Sequence, residues 1–151
     1  MGMFDAINAS GSGLTAERLR MDVTAENLAN AQTTRGADGN PYRRKEVVLQ
    51  ETGSGSFGSM LTSAMGTGRS GGSSAAKGVQ VAGIVEDQAP SKLVYDPGHP
   101  DANADGYVEM PNVNSVTEMV DLISASRGYE ANVTAIQTAK SMFSKTLDIL
   151  R

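Results

Sequence analysis

Acidic and amide side chains alternate from Asp101 to Asp105, a spacing that could bind a calcium ion through oxygen ligands. Gly106 follows, as in the first half of an EF-hand loop. If Asp101 is position 1, position 12 holds Asn112 instead of the glutamate that supplies two ligands, and no helical pattern precedes the segment. We therefore expect an Asx-rich turn here. A soluble calcium-responsive interaction module that uses the Asp101–Asp105 loop is the alternative function.

Two other motifs could bind a cofactor or carry out acid–base chemistry. Residues 53–58 read G-S-G-S-F-G, which matches the dinucleotide-binding pattern G-x-G-x-x-G. No βαβ pattern follows, and no Asp or Glu lies between Thr52 and Val85 to bind a ribose. His99 is the only histidine and the chain has no cysteine, so the sequence offers no recognisable nucleophile–base pair or thiolate metal site. We expect no enzyme, no cofactor and no metal ion.

The strongest structural signal is a helical pattern from Asn114 to Arg151, which at 1.5 Å per residue would be roughly 57 Å long. Ser115, with Glu118 three residues later, predicts a capping box at its start. Apolar residues recur at every seventh position, some with a companion three positions earlier, which is the spacing of a coiled coil. The predicted assembly seam of this helix is Met119, Leu122, Tyr129, Val133, Ile136, Phe143, Leu147 and Leu150.

A second amphipathic helix is predicted from Met3 to Asn30. Gly11 and Gly13 each cost about 1 kcal/mol in a helix interior relative to alanine, so a break or a frayed turn is expected near Ser10–Gly13. Apolar residues again recur at every seventh position, so this helix can pair with the C-terminal helix. Its part of the predicted seam is Ile7, Leu14, Met21 and Leu28.

Periodicity alone allows both stripes to be the core of an ordinary two-helix hairpin. Between Val113 and Ala139, however, the faces away from the seam carry few charges and are rich in Ser, Thr, Asn, Ala and Gln. A solvated helix face normally carries more charge. This composition favours helices that pack on more than one side.

The middle of the chain predicts a small β insert. A strand is expected at residues 43–50, and 14 of the 24 residues at 53–76 are Gly or Ser, which is linker composition. Residues 79–87 and 92–95 predict a hairpin around Ala89-Pro90, and residues 107–110 a last short strand. The predicted fold is mainly α with a small β insert. Residues 1–32 and 112–151 would pair as a coiled coil that is discontinuous in sequence, and residues 33–111 would form the insert.

Composition excludes several classes of partner. The 151 residues carry a formal net charge of −4, and their 13 Lys and Arg are spread along the chain, whereas phosphate binding needs clustered basic residues. No stretch reaches the ~18 apolar residues of a membrane span, and the first ten residues lack the pattern of a secretory signal. We expect no nucleic acid partner, no direct membrane insertion and no cleavable signal peptide.

Several segments together resemble the bacterial flagellar basal-body rod proteins, specifically the short proximal-rod kind. The Asn-Leu-Ala-Asn segment is typical of the wider axial family, whereas the Tyr-Arg-Arg-Lys-Glu and His-Pro-Asp segments narrow the resemblance to this kind. The resemblance covers nearly the whole chain. It is carried by Asn27–Asn30, Gln32–Thr34, Pro41–Val48, Asp96–Asp101, Asp105–Val108, Asn112-Val113, Glu118–Val120 and Arg127–Asn132.

This resemblance implies a structural role without catalysis. In that family the terminal helices form a coiled coil that lines a hollow helical tube, the drive shaft that transmits motor torque to the hook. The implied partners are other rod subunits, the basal-body components around the rod, and the flagellar type III apparatus that exports the subunits. The implied location is the basal body in the periplasmic space, and residues 53–76 are expected to contact something outside their own chain.

Overall fold

A computed structural model describes residues 3–36, 39–52 and 78–149 of the chain. Two long helices near its ends account for most of the regular structure, and two pairs of antiparallel strands lie between them in sequence. The fold is therefore mainly helical with a small β insert. In chain order the elements are α1 (Met3–Ala29), β1 (Lys45–Glu51), β2 (Val79–Glu86), β3 (Lys92–Tyr95), β4 (Tyr107–Met110) and α2 (Ser115–Ile149).

Helix α1 runs without interruption through Gly11 and Gly13, so the expected break near Ser10–Gly13 is wrong. Gly13 lies where α1 comes close to α2, because a Cβ atom at this position would be 2.9 Å from Nδ2 of Asn132. Packing between the two helices thus favours a small residue here and offsets its poor helix propensity.

The two helices are antiparallel, and three contacts define their register. Gly13 lies against Asn132, Glu17 against Gly128, and Asn27 against Glu118. Each step forward along α1 is matched by an equal step backward along α2, so one straight register accounts for all three contacts. The same register places Met3 opposite Met142, and α2 continues beyond that point to Ile149.

Helix α2 begins with Asn114 as its N-cap, which corrects the predicted capping box. The Asn114 side chain Oδ1 accepts a hydrogen bond of 3.1 Å from the backbone N–H of Val116. Ser115 is already the first helical residue. The Glu118 carboxylate does not cap the helix, because it is buried against Arg44 and Asn27.

The strands pair differently from the predicted hairpin. β2 pairs with β1 and β3 with β4, so residues 79–87 and 92–95 do not pair with each other. In the first sheet the pairing matches apolar residues, with Val47 opposite Ile84 and Leu49 opposite Val81, and a β-bulge lies between them.

In the second sheet the rings of Tyr95 and Tyr107 meet edge to face, with their centroids 5.2 Å apart. Gly106 has φ +80°, and a Cβ there would be 2.9 Å from the ring of Tyr95. A glycine at the turn therefore allows these rings to meet, and cross-strand contacts select the partner of each strand.

The first sheet lies along α1 and is held near both of its ends. At one end, Asn27 makes hydrogen bonds with the backbone of Lys45. At the other end, the Oγ of Ser12 accepts a hydrogen bond of 3.0 Å from the backbone N–H of Val79. From Ser12 to Asn27 a helix rises about 22 Å, close to the length of a seven-residue strand. Ala16 and Val23, on the part of α1 between these two anchors, are buried.

The glycines of α1 provide a matched test of the close approach between the helices. Gly11→Ala should raise the free energy of unfolding by up to about 1 kcal/mol, because a Cβ there meets nothing within 4 Å. Gly13→Ala brings the same gain in helix propensity, but its Cβ must displace Asn132, so we expect a clearly smaller gain or a loss. Thermal unfolding followed by circular dichroism measures both. Equal stabilisation by the two variants would contradict the close contact.

Candidate functional site

Asn27 of α1 is the centre of a buried polar cluster. Its Nδ2 donates hydrogen bonds to the backbone carbonyl of Lys45 (2.9 Å) and to Oε2 of Glu118 (3.0 Å). Its Oδ1 accepts hydrogen bonds from the Tyr42 hydroxyl and from the backbone N–H of Lys45, both at 2.9 Å. Only 1% of Asn27 is exposed. One amide side chain, with both donors and both acceptor sites used, therefore joins α1, β1, α2 and the segment before β1.

Glu118 and Arg44 form the charged part of the cluster. The Glu118 side chain is 1% exposed, and its Oε1 accepts a hydrogen bond of 2.6 Å from Nε of Arg44. The guanidinium of Arg44 also forms an ion pair with Glu46 and lies 3.6 Å from the Asp121 carboxylate. Because both oxygens of the buried carboxylate have donors, its charge is compensated.

The pKa values of Tyr42, Arg44 and Lys45 in the cluster are all raised, so these side chains keep their protons at neutral pH. Burial alone would lower the pKa of Arg44, but the hydrogen bond and charge of Glu118, together with Glu46, outweigh it and raise the pKa. Burial, and then the nearby Glu26 carboxylate, raise the pKa of Tyr42. Lys45 has a raised pKa because its Nζ donates a hydrogen bond of 2.6 Å to Glu26. The cluster is thus held as charged pairs and a neutral tyrosine at neutral pH.

This arrangement holds separate elements of the fold together. The polar groups of Asn27 and Glu118 are engaged with one another, with Arg44 and with the backbone. The arrangement joins both helices to the first sheet. Breaking a buried ion pair by removing one partner typically costs about 3 to 5 kcal/mol, so the cluster is a strong constraint on how the insert sits on the helices.

The residues of the predicted assembly seam occupy less buried positions than this cluster. Met119, Phe143 and Leu147 are 48%, 45% and 52% exposed, and Leu150 lies outside the described residues. On α2 the buried residues are instead Glu118, Ala125 and Ala139, which are separated by multiples of seven. The remaining seam residues are half-buried: Ile7, Leu14, Met21, Leu28, Leu122, Tyr129, Val133 and Ile136.

The loop considered for calcium is held by hydrogen bonds of its own and by contacts with the segment after α1. Asp101 accepts a hydrogen bond of 2.8 Å from Thr34 and lies 3.5 Å from Arg35. Asn103 accepts backbone hydrogen bonds from Asp105 and Tyr107. Within residues 3–36, 39–52 and 78–149, no three His, Cys, Asp or Glu side chains are grouped so as to hold a metal ion. The calcium-responsive module is therefore not supported.

His99 and the glycine motif at 53–58 are the other two sequence features that were considered for chemistry. His99 accepts a hydrogen bond of 3.1 Å at Nδ1 from the backbone N–H of Asp101, which stabilises the turn. The glycine motif at 53–58 and the whole 53–76 segment lie outside the described residues. No helix in the part of the chain that is described is both long and apolar enough to cross a membrane.

Sequence reasoning did not identify the polar cluster as a site. A signal was present, because Glu118 lies seven residues before Ala125 and fourteen before Asn132, on a helix face with few charges. A charged residue that is in phase with such a face indicates a buried ion pair. The segments that carry the family resemblance meet in this cluster, since they contain Asn27, Tyr42, Arg44, Lys45 and Glu118.

Comparison with known protein families assigns both ends of the chain to one class. Residues 7–37 match the family model described as flagella basal body rod protein. Residues 104–149 match the model described as flagellar basal body rod FlgEFG protein C-terminal. The matched segments contain most of α1 and of α2, and thus Asn27 and Glu118. They define the class as flagellar basal-body rod proteins.

Full-length relatives narrow the class further. The chain is 52% identical to the flagellar basal-body rod protein FlgC of Bacillus subtilis (strain 168), with 99% of each chain covered. It is 46% identical to FlgC of Borreliella burgdorferi, over 100% of this chain and 99% of the relative. It is also 46% identical to FlgC of Salmonella typhimurium, over 99% and 98%. The chain belongs to the FlgC family of flagellar basal-body rod proteins.

Asn27→Ala should destabilise the protein strongly. It leaves Tyr42, the backbone N–H of Lys45 and one Glu118 oxygen without their partner, so we expect a loss of about 2 to 4 kcal/mol in the free energy of unfolding. Asn30→Ala is the matched control, because within the described residues the Asn30 side chain bonds to Glu26 and Thr33, which are near in sequence. Urea unfolding of both variants measures the difference. A loss for Asn27→Ala no larger than that for Asn30→Ala would exclude the cluster as a main constraint.

The raised pKa values predict a loss of stability at alkaline pH. The folded state favours protonated Tyr42 and Lys45, so their contribution is complete below the ordinary pKa values of 10.0 and 10.5. This contribution to stability is lost as the pH rises through the higher pKa values of the folded state. We expect the unfolding midpoint to fall above about pH 10, and to fall less in Tyr42→Phe. Midpoints measured from pH 7 to 11 test this. An equal fall in both proteins would show that Tyr42 does not contribute.

Proposed function

We propose that this rod protein is a non-catalytic structural subunit of the proximal rod, which polymerises helically into the shaft that carries motor torque to the hook. The observation that carries the proposal is the incomplete core of the helix pair. The helices approach each other through small and polar residues, Gly13, Ala125 and Gly128 among them. Large apolar side chains remain half-buried or exposed along both helices. A surface of this kind is typical of a protein that completes its core with neighbouring subunits.

The predicted seam would become a coiled-coil contact in the polymer. Exposed apolar residues also occur on α2 outside the seam, where Val116, Val120 and Ile123 are 70%, 60% and 54% exposed. A helix with apolar residues on more than one side supports contacts with several neighbours. Heterologous contacts, in which one face meets a different face of the next subunit, generate an open helical assembly.

Torque transmission requires that the parts of a subunit do not turn against each other. The polar cluster supports this role, because Arg44 of the insert is bound to Glu118 of α2 while Lys45 is bound to Asn27 of α1. Ser12 holds the other end of the sheet on α1. A twist applied to the helices is therefore passed to the insert through short, partly buried hydrogen bonds.

The remaining parts of the proposal follow from the family. Residues 1–32 and 112–151 would build the axial core of the rod, and residues 33–111 its outer part. The partners would be other rod subunits and the basal-body components around the rod, with residues 53–76 in contact with one of these. The subunit would reach the periplasmic space through the flagellar type III export apparatus.

Ile136→Asp tests the assembly role of the seam. Ile136 is half-buried, and its complete burial in the rod would contribute about 1.5 to 3 kcal/mol. A carboxylate in that position would be buried without a partner. We expect strongly reduced swimming in soft agar and little of the chain in purified basal bodies.

Gln137→Asp is the matched control, because Gln137 is the exposed neighbour of Ile136 on the same helix. It should swim and assemble normally. Normal motility and incorporation of Ile136→Asp would remove the seam from the assembly mechanism. Failure to find even the unmodified chain in purified basal bodies would contradict the rod assignment itself.

A further inference from the structure

The apolar residues of the two helices do not select one register. Ile7, Leu14 and Met21 repeat every seven residues along α1, and Leu122, Tyr129 and Ile136 do so along α2. Sliding one helix past the other by seven residues therefore brings the same kind of side chain into each position. Such a slip would also bring the exposed end of α2 alongside α1, while the first turns of α2 lose their partner. Something other than apolar burial must favour the observed register.

Two reciprocal contacts between α1 and α2 can favour the observed register over a slipped one. Asn132 of α2 occupies the space left by Gly13 of α1, where a Cβ would be 2.9 Å from its Nδ2. Glu17 of α1 occupies the space left by Gly128 of α2, where a Cβ would be 3.3 Å from its carboxyl carbon. Each helix thus provides one polar side chain and one glycine, and the two contacts lie four residues apart.

These contacts, with the one between Asn27 and Glu118, do not survive a slip. If α2 moved by one heptad so that Ala139 faced Gly13, then Asn132 would face Arg20, a long side chain instead of a glycine. Asn27 would face Ala125 and lose its hydrogen bond to Glu118. Polar groups buried between helices are known to fix register at a cost in stability. Glu17 shows this cost, because its Oε2 is buried without a hydrogen bond in the described part of the chain and lies 3.9 Å from the Arg20 guanidinium.

We infer that Gly13–Asn132 and Glu17–Gly128, together with Asn27–Glu118, determine which register the terminal helices adopt. The two glycine contacts contribute specificity of pairing rather than stability, whereas Asn27–Glu118 contributes to both. A slip of one heptad would shift α2 by about 10 Å along α1, and would give a subunit of a different length with the insert detached from α2. The inference concerns the folded chain and holds whether or not the rod assignment is correct.

Disulfide trapping can report the register, because the natural chain has no cysteine. Ala6→Cys with Ala139→Cys forms the native reporter, since these positions face each other in the observed register. Ala6→Cys with Thr146→Cys forms the slipped reporter, since Thr146 reaches the same place after a slip of one heptad. Oxidation of the purified full chain, followed by electrophoresis, gives the yield of each crosslink within one molecule.

Three sets of substitutions are compared in both reporters. The alanine variant carries alanine at Gly13, Glu17, Gly128 and Asn132. The leucine variant carries Asn27→Leu and Glu118→Leu, and the third set combines the two. The control carries four alanines on the same helices away from these contacts, at Gly11, Thr15, Thr134 and Thr138, where three of the side chains are exposed and a Cβ on the fourth meets nothing.

In the natural chain and the control, the native crosslink should exceed the slipped one at least about tenfold, the effect of one or two buried polar contacts. The slipped yield should rise in the alanine and leucine variants and approach the native yield in the combined variant, and circular dichroism of the alanine variant should show unchanged or higher helix content. A contribution to stability alone would lower helix content without producing the slipped crosslink.

A helical combined variant that forms only the native crosslink would overturn the inference. If the combined variant loses its helices, the alanine variant alone tests the inference, because its substitutions favour helix formation. A slipped yield in that variant no higher than in the control would then overturn the inference. In cells, a slipped variant that is nevertheless found in basal bodies would leave the rod assignment intact and show that the rod accepts either register.

Discussion

The structure depends on the hydrogen bonding of one side chain, the amide of Asn27. An amide that is 1% exposed must satisfy two donors and two acceptor sites, and here the partners come from the segment before β1, from β1 and from α2. Tyr42 and Lys45 bring the insert to α1, and Glu118 brings α2 to the same point. With few large aromatic residues available, 5% of the sequence, directional hydrogen bonds define a tertiary arrangement that apolar packing alone would leave loose.

Small residues between the two helices have two results: the helices come close together, and less apolar surface is buried between them. Small side chains such as Ala125 and Ala139 let the backbones come near each other, but they bury little surface per residue. The larger residues are then pushed to the sides of the interface, where Leu14 and Tyr129 remain half-buried. A helix pair built in this way gives up part of its own stability and leaves apolar surface uncovered, which in the proposed function would contact other subunits.

Much of the fold could be predicted from the sequence, because period and composition report it directly. The seven-residue repeats predicted both helices, and β-branched residues predicted the strand around Val47. The strand partners could not be predicted, since β2 pairs across a long segment while β3 pairs with β4, and only cross-strand contacts such as Tyr95 with Tyr107 decide between them. The capping box failed for a related reason. Glu118 can bond locally or at a distance, and Arg44, 74 positions away, provides the stronger partner.

Residues 53–77 connect the two strands of the bulge-containing sheet. The backbone N–H of Thr52 donates a 2.8 Å hydrogen bond to the carbonyl of Gly78, so the two ends of residues 53–77 lie side by side. For a flexible connection between ends that meet in this way, a doubling of length costs only about 0.6 kcal/mol of chain entropy. Protein engineers can therefore use this position as a grafting point. An epitope or fluorophore-binding peptide inserted there begins and ends at the same place, near Ser12 and away from the cluster around Asn27.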